Sequence, residues 1–318
     1  TSWCKKKGIE KLFLAHHLDD QVETFLMRLG KGSGVDGLAV MNYVTEISSL
    51  KLVRPFLEIP KTRFIKILSI TNLEWISDPS NFNSDYKRSR IRKILPILSK
   101  EGINSKQIGL VIKRMRSAKD ALNTQTNILL KKYLSNVDNV AYFLNKELLK
   151  DVKEKEILLR VLEKIFMNIS GSIYPPRRNK LENIISWILK NNNIKAKTLT
   201  GVVVRKRKSE LIFYREPDDC YKSVNIRPLT SRYSCWDDRF FLKANKSNDL
   251  QIRALGDVGI KILKEEKILK RQGFQNVPLS AWKTVPGVWS KKRLISVPTL
   301  GYCKQKDLKI YIKSNKNI

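Results

Sequence analysis

Lys11-Leu12-Phe13-Leu14-Ala15-His16-His17-Leu18-Asp19-Asp20-Gln21-Val22-Glu23-Thr24 is the stretch from which the fold is read. Leu12 to Ala15 form a short apolar run without alternation, which predicts a parallel strand covered on both faces. A polar turn follows and opens a helix. Asp19 is placed to cap that helix, and Asp20 and Glu23 fall in its first turns, where carboxylates suit the helix dipole. In helical register His16, Asp20, Glu23 and Met27 are spaced to share one face. The polar end of that face lies beyond the carboxyl end of the strand, where open α/β sheets bind ligands. Both histidines of the chain, His16 and His17, stand in this turn. From the residues alone three readings stay open: a structural acidic turn, a divalent metal held by His16, Asp20 and Glu23, or a ligand site. No second cluster of soft ligands supports the metal.

Downstream, Phe25, Leu26 and Leu29 form the apolar side of the helix, which is expected to stop at Gly30. Gly30, Gly32, Gly34 and Gly37 then make a loop around Ser33. It reads either as a helix cap with a turn or as backbone that approaches a ligand closely. No Gly-Lys-Ser/Thr arrives at Walker spacing. Leu50 to Leu57 predict a second strand with Arg54-Pro55 near its end, and Pro60 opens a helix. Trp75-Ile76 reads as a short strand and Asp78-Pro79-Ser80-Asn81 as a turn. A basic helix follows, Tyr86 to Leu98, with Ile91, Leu95 and Leu98 on a core face and Arg88 and Arg92 one turn apart on another. Such a pair either clamps phosphate oxygens or decorates a solvated face.

Beyond residue 100 a helical stripe runs over Asn104–Ser135, with further helices at Glu154–Met167 and after Pro175-Pro176. Gly201–Arg205 and Leu211–Tyr214 flank a polar turn and predict a hairpin. From Glu216 short strands dominate, clearest at Ser234–Leu242 and Leu294–Pro298. Trp236, Phe240, Trp282 and Trp289, interleaved with basic residues, either build a small core or stack on RNA.

The chain's 62 Lys and Arg against 30 Asp and Glu give a net charge of +32, a field that attracts polyanions and puts nucleic acid first among partner classes. Abundant Lys, Asn and Ile throughout show that composition supplies part of that excess. Cys4, Cys220, Cys235 and Cys303 are scattered with no Cys-x-x-Cys pair, which argues against a zinc knuckle or redox couple and fits free thiols in a cytoplasmic protein. No apolar run is long enough to span a membrane.

His16-His17-Leu18-Asp19-Asp20-Gln21-Val22-Glu23-Thr24, followed by Arg28 and Gly30-Lys31-Gly32-Ser33-Gly34, resembles the signature of the tRNA(Ile)-lysidine synthases, PP-loop ATP pyrophosphatases. Arg88-Ser89-Arg90-Ile91-Arg92 resembles the arginine run that closes their catalytic domain. Trp236-Asp237-Asp238-Arg239-Phe240 and Val297 to Gly301 resemble runs of their C-terminal domain. The resemblance implies an α/β chain in three parts. A partial PP-loop parallel-sheet domain of adenine nucleotide alpha hydrolase type would occupy residues 1–100, a mostly helical tRNA-binding domain with a terminal hairpin 101–217, and a small α+β tRNA-binding domain 218–318. The family's Ser-Gly-Gly-x-Asp-Ser phosphate loop does not occur here, and the resemblance places it upstream of Thr1, so that this stretch alone is expected to be inactive.

The implied activity is ligation of free lysine to C2 of the wobble cytidine of tRNA(Ile) with anticodon CAU. It runs through an adenylate made with ATP, and Mg2+ accompanies the ATP. By resemblance Asp20, Glu23, His16 and His17 are catalytic, while Arg88, Arg90, Arg92, Arg54, Gly32, Ser33 and Gly34 bind substrate. The resemblance gives the protein no metal site of its own and admits a homodimer. Two other readings stand beside it: a non-catalytic tRNA-binding remnant, and another PP-loop tRNA-modifying enzyme such as a thiolase. The thiolases usually depend on paired cysteines, which this chain lacks.

Overall fold

The computed structural model describes residues 2–47, 50–71, 76, 85–172, 174–190, 195–223, 226–245, 249–268 and 276–314. Two compact units are present, Thr1–Asn123 and Thr124–Ile318.

The first unit begins with helix α1 (Ser2–Lys6), strand β1 (Lys11–Phe13), helix α2 (Leu18–Leu29) and a single turn α3 (Val35–Leu38). Strands β2 (Val44–Ile47) and β3 (Leu50–Val53) follow, then helices α4 (Lys61–Ile70) and α5 (Lys87–Lys100) and the start of α6 (Ser105–Tyr133). The sheet order is β1-β3-β2. β1 runs parallel to β3, with Leu12 opposite Leu52, as its unalternating run predicts. Its burial does not follow the prediction: Leu12 and Phe13 are exposed, Phe13 by 65%. β1 is an edge strand that pairs only with β3 among the described residues. The apolar stripe of α2 makes the core of this unit, where Val22 and Phe25 pack with Val40 and with Ile108 and Ile112 of α6. Leu29, expected on that stripe, is half-exposed at the helix end. The strand expected over Leu50–Leu57 ends at Val53, and residues 55–58 form a turn that begins at Pro55. Trp75 and the expected turn Asp78–Asn81 lie outside the described residues, and Ile76 is exposed and not in a strand.

The second unit takes in the last turns of α6 and then β4 (Leu134–Val137), β5 (Ala141–Asn145), α7 (Leu148–Asp151), α8 (Lys155–Ser170) and α9 (Arg178–Leu189). β6 (Ala196–Leu199), β7 (Val202–Lys206) and β8 (Glu210–Arg215) complete an antiparallel sheet ordered β4-β5-β8-β7-β6. The predicted hairpin is β7–β8, with Val204 opposite Phe213. The helices expected over residues 101–217 are present, and beside the expected hairpin the sheet holds three further strands, β4, β5 and β6. The helix expected over Asn104–Ser135 ends two residues sooner, at Tyr133, and Leu134 and Ser135 begin β4. Pairing with β5, Leu134 opposite Leu144, takes those residues out of the helix. That contact is non-local and overrides the helical stripe.

The chain continues through α10 (Pro217–Ser223), β9 (Arg227–Pro228), β10 (Ser234–Trp236), β11 (Phe240–Ala244), β12 (Leu250–Ala254) and α11 (Gly256–Glu265). It closes with α12 (Leu279–Trp282), β13 (Pro286–Ser290), β14 (Arg293–Val297), β15 (Tyr302–Cys303) and β16 (Ile310–Ser314). These strands form one sheet ordered β15-β14-β13-β12-β9 and another ordered β10-β11-β16. One apolar core joins Phe143, Ile212 and Tyr214 to Leu255, Trp282 and Trp289, so packing is continuous across residue 217. Trp236, Phe240, Trp282 and Trp289 are each no more than 2% exposed, which decides their role in favour of core. Among the described residues no helix is long and apolar enough to cross a membrane.

Candidate active site in the first unit

The turn between β1 and α2 is built by its own polar residues. His17 stands at the N-cap of α2 in extended backbone, and its N–H donates to Asp20 Oδ2 at 3.0 Å. This is the N3 half of a capping box, and the N-cap position that the sequence offered to Asp19 falls on His17. Asp19 caps a different helix. Its Oδ2 accepts the backbone N–H of Lys61, the first residue of α4, at 2.7 Å, and its Oδ1 accepts from Ser105 Oγ at the start of α6 at 3.5 Å. One carboxylate thus fixes where α4 and α6 begin relative to α2. His17 sits between the two acids, Nε2 3.4 Å from Asp20 Oδ2 and Nδ1 3.6 Å from Asp19 Oδ2. The second separation is too long for a hydrogen bond, so Nδ1 is enclosed without a partner. His16 Nδ1 is enclosed and unpartnered in the same way.

One turn further along α2, Glu23 is 2% exposed. A buried carboxylate needs a partner, and Arg92 of α5, 69 residues away, supplies it. Arg92 Nε donates to Oε1 at 2.5 Å and Nη2 to Oε2 at 3.3 Å, a two-pronged contact. The hydrogen bond to Glu23 raises the Arg92 pKa above its ordinary value, with Asp20 and Asp19 adding to it. The pair lies at the wall of a cavity of about 570 Å³. His17, Asp19, Lys61, Lys93 and Ser105 line the same cavity. The volume falls in the range of small-molecule sites, and the three cations Lys61, Arg92 and Lys93 suit an anionic ligand.

The other sequence-predicted positions fall outside this cavity wall. Asp20 and His16 lie next to it through the turn. Arg88 is exposed in the first turn of α5, and Arg90, also exposed, donates from Nη1 to the Asp85 carbonyl at 2.8 Å. Arg54 is used structurally. Its Nη1 donates to the Asn42 carbonyl at 3.1 Å and to Thr45 Oγ1 at 2.9 Å, and burial lowers its pKa.

The glycine loop closes on α2. Gly32, at φ +68°, donates its N–H to the Leu29 carbonyl at 2.9 Å, and Ser33 N–H donates to the Arg28 carbonyl at 3.1 Å. Gly34 is the N-cap of α3. Arg28 Nη1 ties the far side of the loop through the Gly37 carbonyl at 2.8 Å and the Val40 carbonyl at 3.3 Å. The amides of Gly32 and Ser33 therefore serve the helix end. Sequence reading passed over Lys61, Thr62 and Ser105. The one local signal for Lys61 was its place immediately after Pro60, which makes it the first residue of a helix. Among the described residues no group of three or more His, Cys, Asp or Glu is gathered to hold a metal ion.

The chain is similar to known proteins over most of its length. Residues 1–98 match the family model of the PP-loop domain. Over 240 residues the chain is 34% identical to a tRNA(Ile)-lysidine synthase of Wolbachia sp. subsp. Brugia malayi, covering 76% of this chain and 55% of that protein. It is 29% identical over 308 residues to the tRNA(Ile)-lysidine synthase of Wolbachia pipientis wMel and 30% identical over 301 residues to that of Ruegeria pomeroyi. Each of these two matches covers 95% of this chain and 68% of the relative.

Proposed function

The chain belongs to the tRNA(Ile)-lysidine synthase family of PP-loop proteins, and on that premise we propose that it serves the ATP-dependent ligation of free lysine to a tRNA. The observation that carries the proposal is the Glu23–Arg92 pair, which joins the two sequence motifs at the wall of one cavity. In the proposed reaction ATP adenylates the C2 oxygen of the wobble cytidine of tRNA(Ile) with anticodon CAU and releases pyrophosphate. The ε-amine of free lysine then attacks C2 and displaces AMP. The product pairs with A rather than G, which changes the codon read from AUG to AUA and the charging identity from Met to Ile.

Each residue has a role that its placement supports. Lysine's ammonium needs a carboxylate and must lose a proton before it attacks. Glu23 is the buried carboxylate, and Asp20, one turn earlier, is the second acid of the turn. Arg92 fixes the orientation of Glu23 from α5. His17, at the cavity wall, and His16 beside it are placed to donate to the phosphate or the activated base. Lys61 and Lys93 neutralise phosphate charge at the cavity edge. Arg88 and Arg90, exposed on α5, suit the tRNA backbone better than the buried chemistry. Asp19 and Asp20 are engaged with backbone and histidine. The donor set therefore fits no resident metal, and a magnesium ion would be carried by the ATP phosphates. Residues 218–318 hold a second region of the tRNA in this reading.

The test is incorporation of labelled lysine into tRNA(Ile) with anticodon CAU. It is run with this chain alone and with a version restored to the length of its relatives. Activity in the restored form that is lost in Glu23→Ala is the expected result. Near-normal turnover of Glu23→Ala removes Glu23 from the mechanism. Activity in neither form, with tRNA still bound, favours a non-catalytic tRNA-binding protein and sinks the proposal.

A further inference from the structure

The sheet β10-β11-β16 has two unlike faces. Phe240, Leu242 and Ala244 of β11 are each no more than 2% exposed, and Ile310 and Ile312 of β16 pack against the same core. Side chains alternate along a strand, so Phe241, Lys243, Tyr311 and Lys313 stand on the opposite face. The register sets Phe241 against Lys313 and Lys243 against Tyr311. Tyr233, just before β10, joins them. Lys243 Nζ lies 4.9 Å from the Tyr233 ring centre and 5.1 Å from that of Tyr311, and Lys313 Nζ lies 4.8 Å from the Tyr233 ring. Tyr233 is 39% exposed and Tyr311 48%. Among the described residues neither lysine makes an ion pair with a carboxylate.

We propose that this face, Tyr233, Phe241, Lys243, Tyr311 and Lys313, binds an unpaired stretch of RNA, with bases stacked on the tyrosine rings and phosphates on the two ammonium groups. The inference rests on the tRNA-binding reading of residues 218–318 and assigns to it a surface and a nucleic-acid form. An exposed aromatic ring offers a stacking surface to any base, and duplex bases are already stacked and cannot use it. Lysines without carboxylate partners keep their charge for phosphate, and the net charge of +32 favours a polyanion over an acidic-poor protein surface. The three cation–π contacts hold the ammonium groups over the tyrosine rings, so that aromatic surface and phosphate-binding charge share one small patch.

The experiment measures binding of the purified full chain to a labelled unpaired RNA oligonucleotide and to a duplex RNA of the same length across a salt series. The double variant Tyr233→Ala/Tyr311→Ala is expected to bind the unpaired RNA at least roughly tenfold more weakly and the duplex unchanged. Tyr233→Phe/Tyr311→Phe is expected to retain affinity. Lys243→Gln/Lys313→Gln should make the log–log salt dependence shallower by about 1.4, the value for two phosphates of a single strand. Crosslinking of the unmodified chain to a thiouridine-containing oligonucleotide should map to Tyr233, Phe241 or Tyr311, a readout that needs no variant to fold. Unchanged affinity of the alanine double variant, or crosslinks confined to other residues, overturns the inference. Loss of lysine incorporation with these results intact would fail the ligase reading and leave this face standing. Lysine incorporation with no effect at this face would do the reverse.

Discussion

Asp237→Asn is a direct test of how the second unit is held together. The Asp237 side chain is 3% exposed and is shared by two arginines, Arg215 and Arg239, whose side chains are 4% and 2% exposed. Arg215 Nε lies 3.2 Å from both of its oxygens, and Arg239 Nε donates to Oδ2 at 2.8 Å. The two guanidiniums differ in what else they hold. Arg215 Nη1 also pairs with Asp219 and donates to the Gly201 carbonyl at 2.9 Å. Among the described residues, Arg239 otherwise meets only uncharged groups, the two oxygens of Thr284 and the Phe240 ring, and its Nη1 is buried without a hydrogen-bond partner. Removing the Asp237 charge therefore strands one cation, that of Arg239. Breaking a buried pair on one side costs about 3–5 kcal/mol. Asparagine keeps the shape of the side chain and tolerates the left-handed backbone of residue 237, φ 49°, so the loss isolates charge. With a urea slope of about 2 kcal/mol per molar, the midpoint should fall by about 1.5–2.5 M. Buried Trp236, next to Asp237, reports the transition by fluorescence. Asp237→Asn/Arg239→Met should recover most of the loss, because the stranded charge goes with it. A single variant within about 1 kcal/mol of the parent, or a double variant no better than the single, refutes this account.

Three further outcomes are expected. Asp19→Ala should cost about 1 kcal/mol by unfastening the first N–H of α4, with Asp19→Asn retaining most of it; equal urea midpoints for all three proteins would show that water replaces the cap. Gly201→Ala should cost about 2 kcal/mol or more, since residue 201 has φ +69° and an added Cβ would collide with Arg215 Nη1 and the Asp219 carboxylate; a parent-like denaturation curve would show that the Arg215 cluster yields freely. Alkali should destabilise the fold. Burial, with Asp237 beside it, pushes the Cys220 thiol up to about 12, and burial pushes the Tyr142 phenol up to about 12. The folded chain keeps protons that the unfolded chain releases near their ordinary values. The stability is therefore full below about pH 9 and is lost as pH rises toward 12, by roughly 4 kcal/mol for Cys220 alone over the whole window. Urea midpoints at about pH 8 and about pH 10.5 read this directly, and a higher midpoint at the alkaline pH would contradict it.

What the sequence disclosed follows a physical division. The β1–α2 turn was legible because caps, dipoles and helical spacing act over a few residues, and Glu23 and Arg92 were both marked by their motifs. Their pairing was not legible, because it depends on how α2 and α5 pack. The same limit explains Asp19. Locally it looks like a cap for its own helix, and only the arrival of Lys61, 42 residues later, assigns it to α4. Leu134 and Ser135 were not legible as strand, since their place in β4 is set by pairing with β5 across the sheet. Phe13 looked like core because an apolar run carries no record of what covers it. Asp237 and Arg239 were noted within a family motif, yet their buried charge chemistry appears only once β10 and β11 meet the residues around Thr284.

Arg92 has a consequence for affinity. In the Glu23–Arg92 pair the guanidinium side chain is 36% exposed and the carboxylate 2%, so the protein's own cation faces the solvent side of Glu23. Any positively charged ligand bound there meets an intramolecular competitor already in place. Its observed dissociation constant is then the intrinsic one divided by the fraction of molecules in which Arg92 has swung aside or made room. Selectivity follows from the same occupancy. A weak or badly placed cation cannot displace a two-pronged guanidinium, so the site discriminates by the strength of what it must give up as well as by the shape of what it receives.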